Sequence, residues 1–223
     1  MSSTILFAGD SITDCDRRTD PYGLGSGYVD IVASALRARG NTASVVNRGV
    51  DGNRVEHLRE RWQRDVLDYA PDVLSIFIGV NDTLVTFFEG RPTPLGLFEE
   101  RYADILERTK AAGVPGVIMV DPFFVGSDRP GVPWREGTAF AREDLDPKRR
   151  VVRALALRYG AQFVPLQEAV DQAVAERGPT VVAPDGVHPS PFGHLLIARL
   201  WLDAYQAVSA ATSAGPARAG TAG

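Results

Sequence analysis

Short apolar runs alternate with longer amphipathic stretches along most of the chain, and this alternation restricts the fold more than any other feature. The apolar runs are too short for helices and are typical of buried strands; they cover residues 4–8, 43–46, 73–78, 117–120 and 163–164. The stretches with helical spacing cover residues 28–39, 55–69, 98–112, 149–159 and 192–208.

Strands that alternate with helices must pair in parallel, because each return to the same end of the sheet requires a crossover. The helices of such a protein then cover both faces of the sheet. The sequence therefore predicts an α/β protein with three layers, α/β/α, around a central parallel sheet of about five strands. In sheets of this kind, ligands bind beyond the carboxyl ends of the strands.

Two segments fall outside this alternation. Residues 126–147 are rich in glycine, proline and charge, which favours a long surface loop near the strand ends, serving as a substrate wall or an oligomer contact. Residues 210–223 contain few large apolar side chains, which predicts a disordered tail. We therefore expect a single domain over residues 1–209.

Composition excludes several classes of protein. The net charge is −4, from 24 basic and 28 acidic side chains, which gives no basic surface for nucleic acid. Cys15 is the one cysteine, so neither a disulfide framework nor a cysteine zinc site is expected, and we predict no metal. No apolar run approaches the ~20 residues of a membrane span, and the first residues lack a signal-peptide pattern. These features predict a cytoplasmic protein, or a secreted one if a signal has been removed.

Polar residues follow the predicted strands where ligands are expected. Gly9-Asp10-Ser11 follows the first strand, residues 47–53 follow the second, and residues 79–82 follow the third. Asp185 and His188 precede the last helix and are three positions apart, so they can face the same way. Together these segments supply the groups that acyl transfer requires.

The residue types predict a role for each group. Ser11 is the expected nucleophile, His188 the base that takes its proton, and Asp185 the carboxylate that orients and stabilises the imidazole. The expected donors to the oxyanion are the backbone N–H groups of Ser11 and Gly49 and the side-chain amide of Asn81.

Other residues near these loops have supporting or structural interpretations. Asp10 is expected to brace the nucleophile turn or cap the following helix. Phe123 and Phe124 could border a substrate pocket, and they could equally be core residues. Trp134, in the long loop, could stack on a sugar ring, although a structural role is the simpler interpretation.

Four sequence blocks in order resemble those of the SGNH, or GDSL-type, hydrolases. They are Gly9-Asp10-Ser11, Gly49, Gly79-x-Asn81-Asp82 and Asp185-x-x-His188. The resemblance implies a flavodoxin-like α/β/α fold and serine esterase chemistry without a cofactor. The G-x-S-x-G motif of classical α/β-hydrolases does not occur in this chain.

A narrower similarity is carried by "GDSITDCDR", "GLGSGYV", "NRGVDGNRV", "LRERWQRDV" and "PDVLSIFIGVNDT", which look like segments of the intracellular bacterial acetyl-xylan esterases. It implies a small acylated substrate, an acetylated xylo-oligosaccharide or related carbohydrate, and assembly into a homo-oligomer. The subgroup often has tryptophan before the catalytic aspartate, where this chain has Pro184. Alternatives are a lysophospholipase, thioesterase or arylesterase of the same family and, in another class, a non-catalytic carbohydrate-binding protein.

Overall fold

A five-stranded parallel sheet forms the centre of the computed structural model, which describes residues 3–127 and 129–213. The strands are β1 (Thr4–Gly9), β2 (Ser44–Gly49), β3 (Val73–Phe77), β4 (Gly116–Val120) and β5 (Gln162–Val164). Their order in the sheet is β2-β1-β3-β4-β5, and every neighbouring pair is parallel. The predicted number and direction of the strands are confirmed.

The helices in chain order are α1 (Ser11–Asp14), α2 (Tyr28–Ala38), α3 (Val55–Glu60), α4 (Trp62–Asp65), α5 (Val80–Leu84), α6 (Thr86–Glu89), α7 (Leu95–Ala111), α8 (Thr138–Tyr159), α9 (Leu166–Arg177), α10 (Pro179–Val182) and α11 (Pro191–Ser213). A 3₁₀ turn covers Leu67–Tyr69. The stretch predicted as one helix over residues 55–69 is thus three short pieces.

Alternate residues of β1 belong to two separate hydrophobic cores. Ile5 and Phe7 pack with α2 and α11 on one face of the sheet, while Leu6 and Ala8 pack with α3, α7 and the second half of α8 on the other. Because side chains of a strand point alternately to its two faces, this run of apolar residues requires helices on both sides. The predicted three-layer α/β/α arrangement is confirmed.

Trp201 fixes the last helix to the centre of the sheet. Its ring lies 4.7 Å from that of Phe7, centroid to centroid, and its Nε1–H donates to Ser75 Oγ at 2.9 Å. Burial of an aromatic side chain of this size contributes roughly 2–3 kcal/mol. The helix that follows the Asp185–His188 segment is therefore held firmly against the strand that leads to Ser11.

The loop predicted over residues 126–147 is shorter than expected. Helix α8 begins at Thr138 and includes Pro147, which was interpreted as a loop residue. Proline removes only one backbone donor, and its neighbours Leu145 and Lys148 are buried, so packing retains the helix. Lys148 also pairs with Asp144 one turn earlier. Helices α9 and α10 were not predicted.

The last helix continues to Ser213, into the first residues of the segment predicted to be a disordered tail. The rest of that segment, residues 214–223, lies outside the described residues. Among the helices of the described residues, none combines the length and apolar character needed to cross a membrane.

Candidate active site

Ser11, His188 and Asp185 form a continuous hydrogen-bonded chain at the carboxyl end of the sheet. The Ser11 Oγ to His188 Nε2 distance is 3.1 Å, and the His188 Nδ1 to Asp185 Oδ2 distance is 2.7 Å. Ser11 follows β1 directly, whereas the other two residues lie on the loop before α11. The structure therefore brings these three residues together, although Ser11 and His188 are 177 positions apart in the sequence.

Asp185 is positioned by its own loop. Its Oδ1 accepts hydrogen bonds from the backbone N–H groups of Val187 at 2.9 Å and His188 at 2.8 Å. Burial opposes ionisation of Asp185, but the bonds from the His188 ring and from these two N–H groups outweigh it and lower its pKa to about 2. A carboxylate that stays ionised at neutral pH can hold the imidazole in one orientation.

The same contact shifts the pKa of His188 upwards, opposite to its effect on Asp185. The hydrogen bond that the His188 ring donates to Asp185 raises the pKa of His188 above 6.5, although partial burial of the ring works against it. The imidazole remains half exposed, with about 51% of its side chain accessible. A base that faces solvent and carries a carboxylate on its second nitrogen has the form of a serine-activating histidine.

Asp10 lies beneath the nucleophile and caps its helix. Asp10 Oδ1 accepts from the Ile12 N–H at 3.1 Å, whereas Oδ2 is buried and has no hydrogen-bond partner within the described residues. Burial raises the pKa of Asp10 to about 7, and the charge of nearby Asp82 adds to this effect. Asp10 is thus the N-cap residue of α1, the helix that begins with Ser11.

The segment after β3 is tied to the segment after β2. Asn81 Nδ2 donates to the Asn53 carbonyl at 3.1 Å, and Asp82 Oδ2 accepts from the Val55 N–H at 3.0 Å. An amide nitrogen carries two hydrogens, so Asn81 retains one donor for a further partner. Asp82 is fully buried, and this burial raises its pKa to about 6.

Gly49 does not have the role expected of it. It is the last residue of β2, paired with Gly9, rather than a loop residue. Its N–H donates to Asn47 Oδ1 at 2.8 Å and so is not available to an oxyanion. Glycine is required there for a different reason, because a Cβ would overlap the backbone of Asp14.

Gly52 offers a free N–H in the same segment. Its φ of +69° is favourable for glycine, and within the described residues this N–H donates no hydrogen bond. Its neighbour Asn53 is the residue whose carbonyl contacts Asn81. The turn-forming pair Asp51-Gly52 was the sequence signal that could have separated it from Gly49.

The three aromatic residues considered for a substrate pocket are structural. Phe123 and Phe124 are 1% and 0% exposed and belong to a hydrophobic core, so the pocket role is not supported. Trp134 is also buried, at 8% exposed, which leaves no free face for a sugar ring. Its Nε1–H instead donates to the Asp185 carbonyl at 2.6 Å, which connects this loop to the triad.

A pocket of about 580 Å³ opens above Ser11 and His188. Its other lining residues are Asp14, Cys15, Asp16, Arg18, Thr19 and Asp51. His194 lies behind it, where its Nδ1 accepts from the Tyr28 N–H at 3.1 Å, and burial lowers its pKa to about 4. Among the described residues, no group of three or more His, Cys, Asp or Glu is arranged to hold a metal ion.

A hydrogen-bonded Ser–His–Asp chain at the carboxyl ends of a parallel α/β/α sheet is the arrangement of a serine hydrolase. Comparison with known proteins agrees with this class. The chain belongs to the GDSL-like Lipase/Acylhydrolase family, whose family profile matches residues 7–196, and it is a carboxylic ester hydrolase.

Two kinds of relative are similar over most of the chain. An acetylxylan esterase from Geobacillus stearothermophilus is 35% identical over 210 residues, which cover 89% of this chain and 91% of that protein. Its crystal structure superposes with a TM-score of 0.78 at 33% identity, covering 91% of this chain and 94% of that one. A GDSL-like lipase from Parabacteroides merdae gives a TM-score of 0.81 at 34% identity, covering 92% and 96%.

Proposed function

We propose that the protein removes acetyl groups from xylo-oligosaccharides or related carbohydrates through an acyl-enzyme on Ser11. The observation that carries the proposal is the hydrogen-bonded chain of Ser11, His188 and Asp185. The Geobacillus relative is an acetylxylan esterase, and its solved variants include catalytic mutants in which alanine replaces a serine and an aspartate. The likeness supports the same kind of substrate here.

In the proposed first step, Ser11 Oγ attacks the acetyl carbonyl while His188 Nε2 accepts the hydroxyl proton. Asp185 stabilises the resulting imidazolium through Nδ1. The tetrahedral intermediate then collapses, His188 returns the proton to the sugar oxygen, and the sugar alcohol leaves. Water attacks acetyl-Ser11 with His188 again as base, which releases acetate and restores the serine.

The negative charge of the intermediate needs donors that are already in place. We assign the Ser11 N–H, the second hydrogen of Asn81 Nδ2 and the Gly52 N–H to this role. Ser11 is the first residue of α1, where the helix offers its N–H no internal partner. Gly52 replaces Gly49, whose N–H is bound by Asn47.

The side chains that line the pocket above Ser11 are small or charged, which favours a short acyl group over a long one. Among the described residues that line it, none has a large apolar side chain, and several carry charge. We therefore expect the acetyl group, rather than a long-chain acyl group, beside Ser11.

The test is acetate release from acetylated xylo-oligosaccharides together with a p-nitrophenyl ester series from C2 to C12. Ser11→Ala should lose several orders of magnitude in kcat and keep its thermal unfolding midpoint. Ser26→Ala, an exposed serine of a neighbouring loop, is the matched control and should remain active. Retention of a tenth of the activity in Ser11→Ala would remove the nucleophile assignment. Activity that rises towards C12 would keep the mechanism and replace the substrate with a lipid ester.

A further inference from the structure

A second cleft, of about 840 Å³, lies beside the catalytic pocket and is rich in arginine. Five arginines line it, Arg17, Arg18, Arg48, Arg61 and Arg64, against three carboxylates. Arg18 and Asp51 belong to the walls of both the cleft and the pocket above Ser11. A substrate whose ester group occupies the catalytic pocket can therefore extend into this cleft.

Three of the arginines share one carboxylate. Asp65 lies 2.6 Å from Arg48, 3.0 Å from Arg61 and 2.8 Å from Arg64, measured between nitrogen and oxygen atoms. Burial opposes ionisation of Asp65, but the hydrogen bonds from the three guanidinium groups lower its pKa well below the ordinary value. One carboxylate cannot neutralise three guanidinium groups, so this cluster keeps an excess of positive charge.

Arg17 extends this excess of positive charge towards the catalytic pocket. Its Nε donates to the Gly49 carbonyl at 2.6 Å, and its nearest carboxylate, Asp14, is 3.7 Å away. Burial lowers the pKa of Arg17, and although Asp14 opposes this, repulsion from Arg48 and Arg18 adds to it. An anion bound among these arginines would relieve that repulsion.

Two guanidinium groups have unused donors. Arg48 Nε is buried and has no hydrogen-bond partner within the described residues. Arg18 is exposed, and it forms no ion pair with any of the residues that the structure describes. The planar guanidinium presents several N–H groups in a fixed geometry that matches a carboxylate. Arg18 is the residue best placed to reach a ligand, because it borders both spaces.

We propose that this cleft binds the carboxylate of an acidic sugar unit in the acylated oligosaccharide, which makes the enzyme selective for acidic substrates. This inference rests on the proposed function. Asp51 and Glu60 in the wall and Asp14 nearby leave only a small net positive charge. A monoanion such as a uronic acid matches this charge better than a phosphate dianion does.

The experiment compares two acetylated xylo-oligosaccharides that differ only at a uronic acid unit, present as the free acid or as its primary amide. Wild-type enzyme should hydrolyse the acid with a kcat/KM about tenfold higher, the value expected of one charge-assisted hydrogen bond at a partly exposed site. Arg18→Gln should bring the ratio close to one, and Arg18→Lys should restore part of it.

Arg39→Gln is the matched control, because Arg39 is exposed at the end of α2, towards the amino ends of the strands. It should keep the wild-type ratio. A wild-type ratio near one, or an equal loss in Arg39→Gln, would overturn the proposal. Added salt should reduce the ratio for wild type and leave that of Arg18→Gln nearly constant.

The two proposals fail in different ways. If neither oligosaccharide yields acetate while p-nitrophenyl acetate is cleaved, the proposed substrate is wrong. The cleft is then tested by inhibition of p-nitrophenyl acetate hydrolysis with the deacetylated acidic oligosaccharide and its amide. Stronger inhibition by the acid, lost in Arg18→Gln, supports the anion site, and equal inhibition by both overturns it. Stronger inhibition by inorganic phosphate than by the acid would also overturn the choice of a carboxylate.

Discussion

Replacing Asn47 with alanine should destabilise the protein and displace the segment that carries Ser11. The Asn47 side chain is 4% exposed and joins three parts of the chain. Its Nδ2 donates to the carbonyls of Thr13 at 2.6 Å and Leu24 at 2.7 Å, while Oδ1 accepts from the Gly49 N–H at 2.8 Å. Alanine would leave two carbonyls and one N–H buried without partners.

The expected magnitude follows from these three bonds. Each buried hydrogen bond contributes about 1 kcal/mol net, and an unsatisfied buried group costs about 1–3 kcal/mol. Asn47→Ala should therefore lower the free energy of unfolding by roughly 3–5 kcal/mol. Asn47→Asp keeps the acceptor for Gly49 but turns a carboxylate oxygen towards two carbonyls, so it should be at least as destabilising.

Urea unfolding followed by circular dichroism gives the stability, and p-nitrophenyl acetate hydrolysis gives kcat. Asn41→Ala is the matched control at the other end of the same region, where a half-buried side chain contacts the Tyr205 hydroxyl at 3.0 Å and the Ala43 N–H at 2.8 Å. It should lose about 1 kcal/mol and retain activity. A loss in Asn47→Ala no larger than in Asn41→Ala would refute the assignment of Asn47 as the tie between these segments.

Two further predictions concern the triad. His188 acts as the base only when it is unprotonated, and Asp185 raises its pKa. The value of kcat/KM should therefore rise with pH, and the midpoint of this rise should lie above pH 6.5. Asp185→Asn should move that midpoint to lower pH and reduce kcat by about 10⁴; a wild-type midpoint below 6.5 would contradict the assigned pair. Trp134→Phe removes the donor to the Asp185 carbonyl, so urea unfolding should show a loss of about 1–2 kcal/mol, together with a lower kcat. Wild-type values for both would mean that this contact does not position Asp185.

The central strands β1, β3 and β4 were the most predictable part of the fold because they are buried on both faces along nearly their whole length. A strand covered by helices on either side must be apolar throughout, which makes it visible in the sequence as a short continuous run. Helix α9 lacked such a signal, since its polar and charged residues leave only a few buried positions, among them Leu166, Val170 and Ala173. The start of α8 was obscured by Pro147, because helix propensity cannot show that packing retains a proline.

The chemical residues of the site were predictable from their types, but their backbone neighbours were not. Serine, histidine and aspartate at strand ends indicate their chemistry directly, whereas in the sequence only the turn-forming pair Asp51-Gly52 separates Gly52 from Gly49. The structure adds that the Gly49 N–H is already bound, because it donates to the Asn47 side chain. Likewise, Phe123 and Phe124 follow a strand as pocket residues would, and only their burial assigns them to the core.

The hydrogen bond between Ser11 and His188 joins residues near opposite ends of the described chain. During synthesis, Ser11 and its strand leave the ribosome long before the histidine exists, so a nascent chain holds an unactivated serine until the segment with Asp185 and His188 has emerged. Hydrolysis therefore requires that the sheet and the segment with His188 have both folded. Recovery of activity during refolding should follow the slowest long-range pairing step, so the rate of ester hydrolysis can be used to measure when folding is complete.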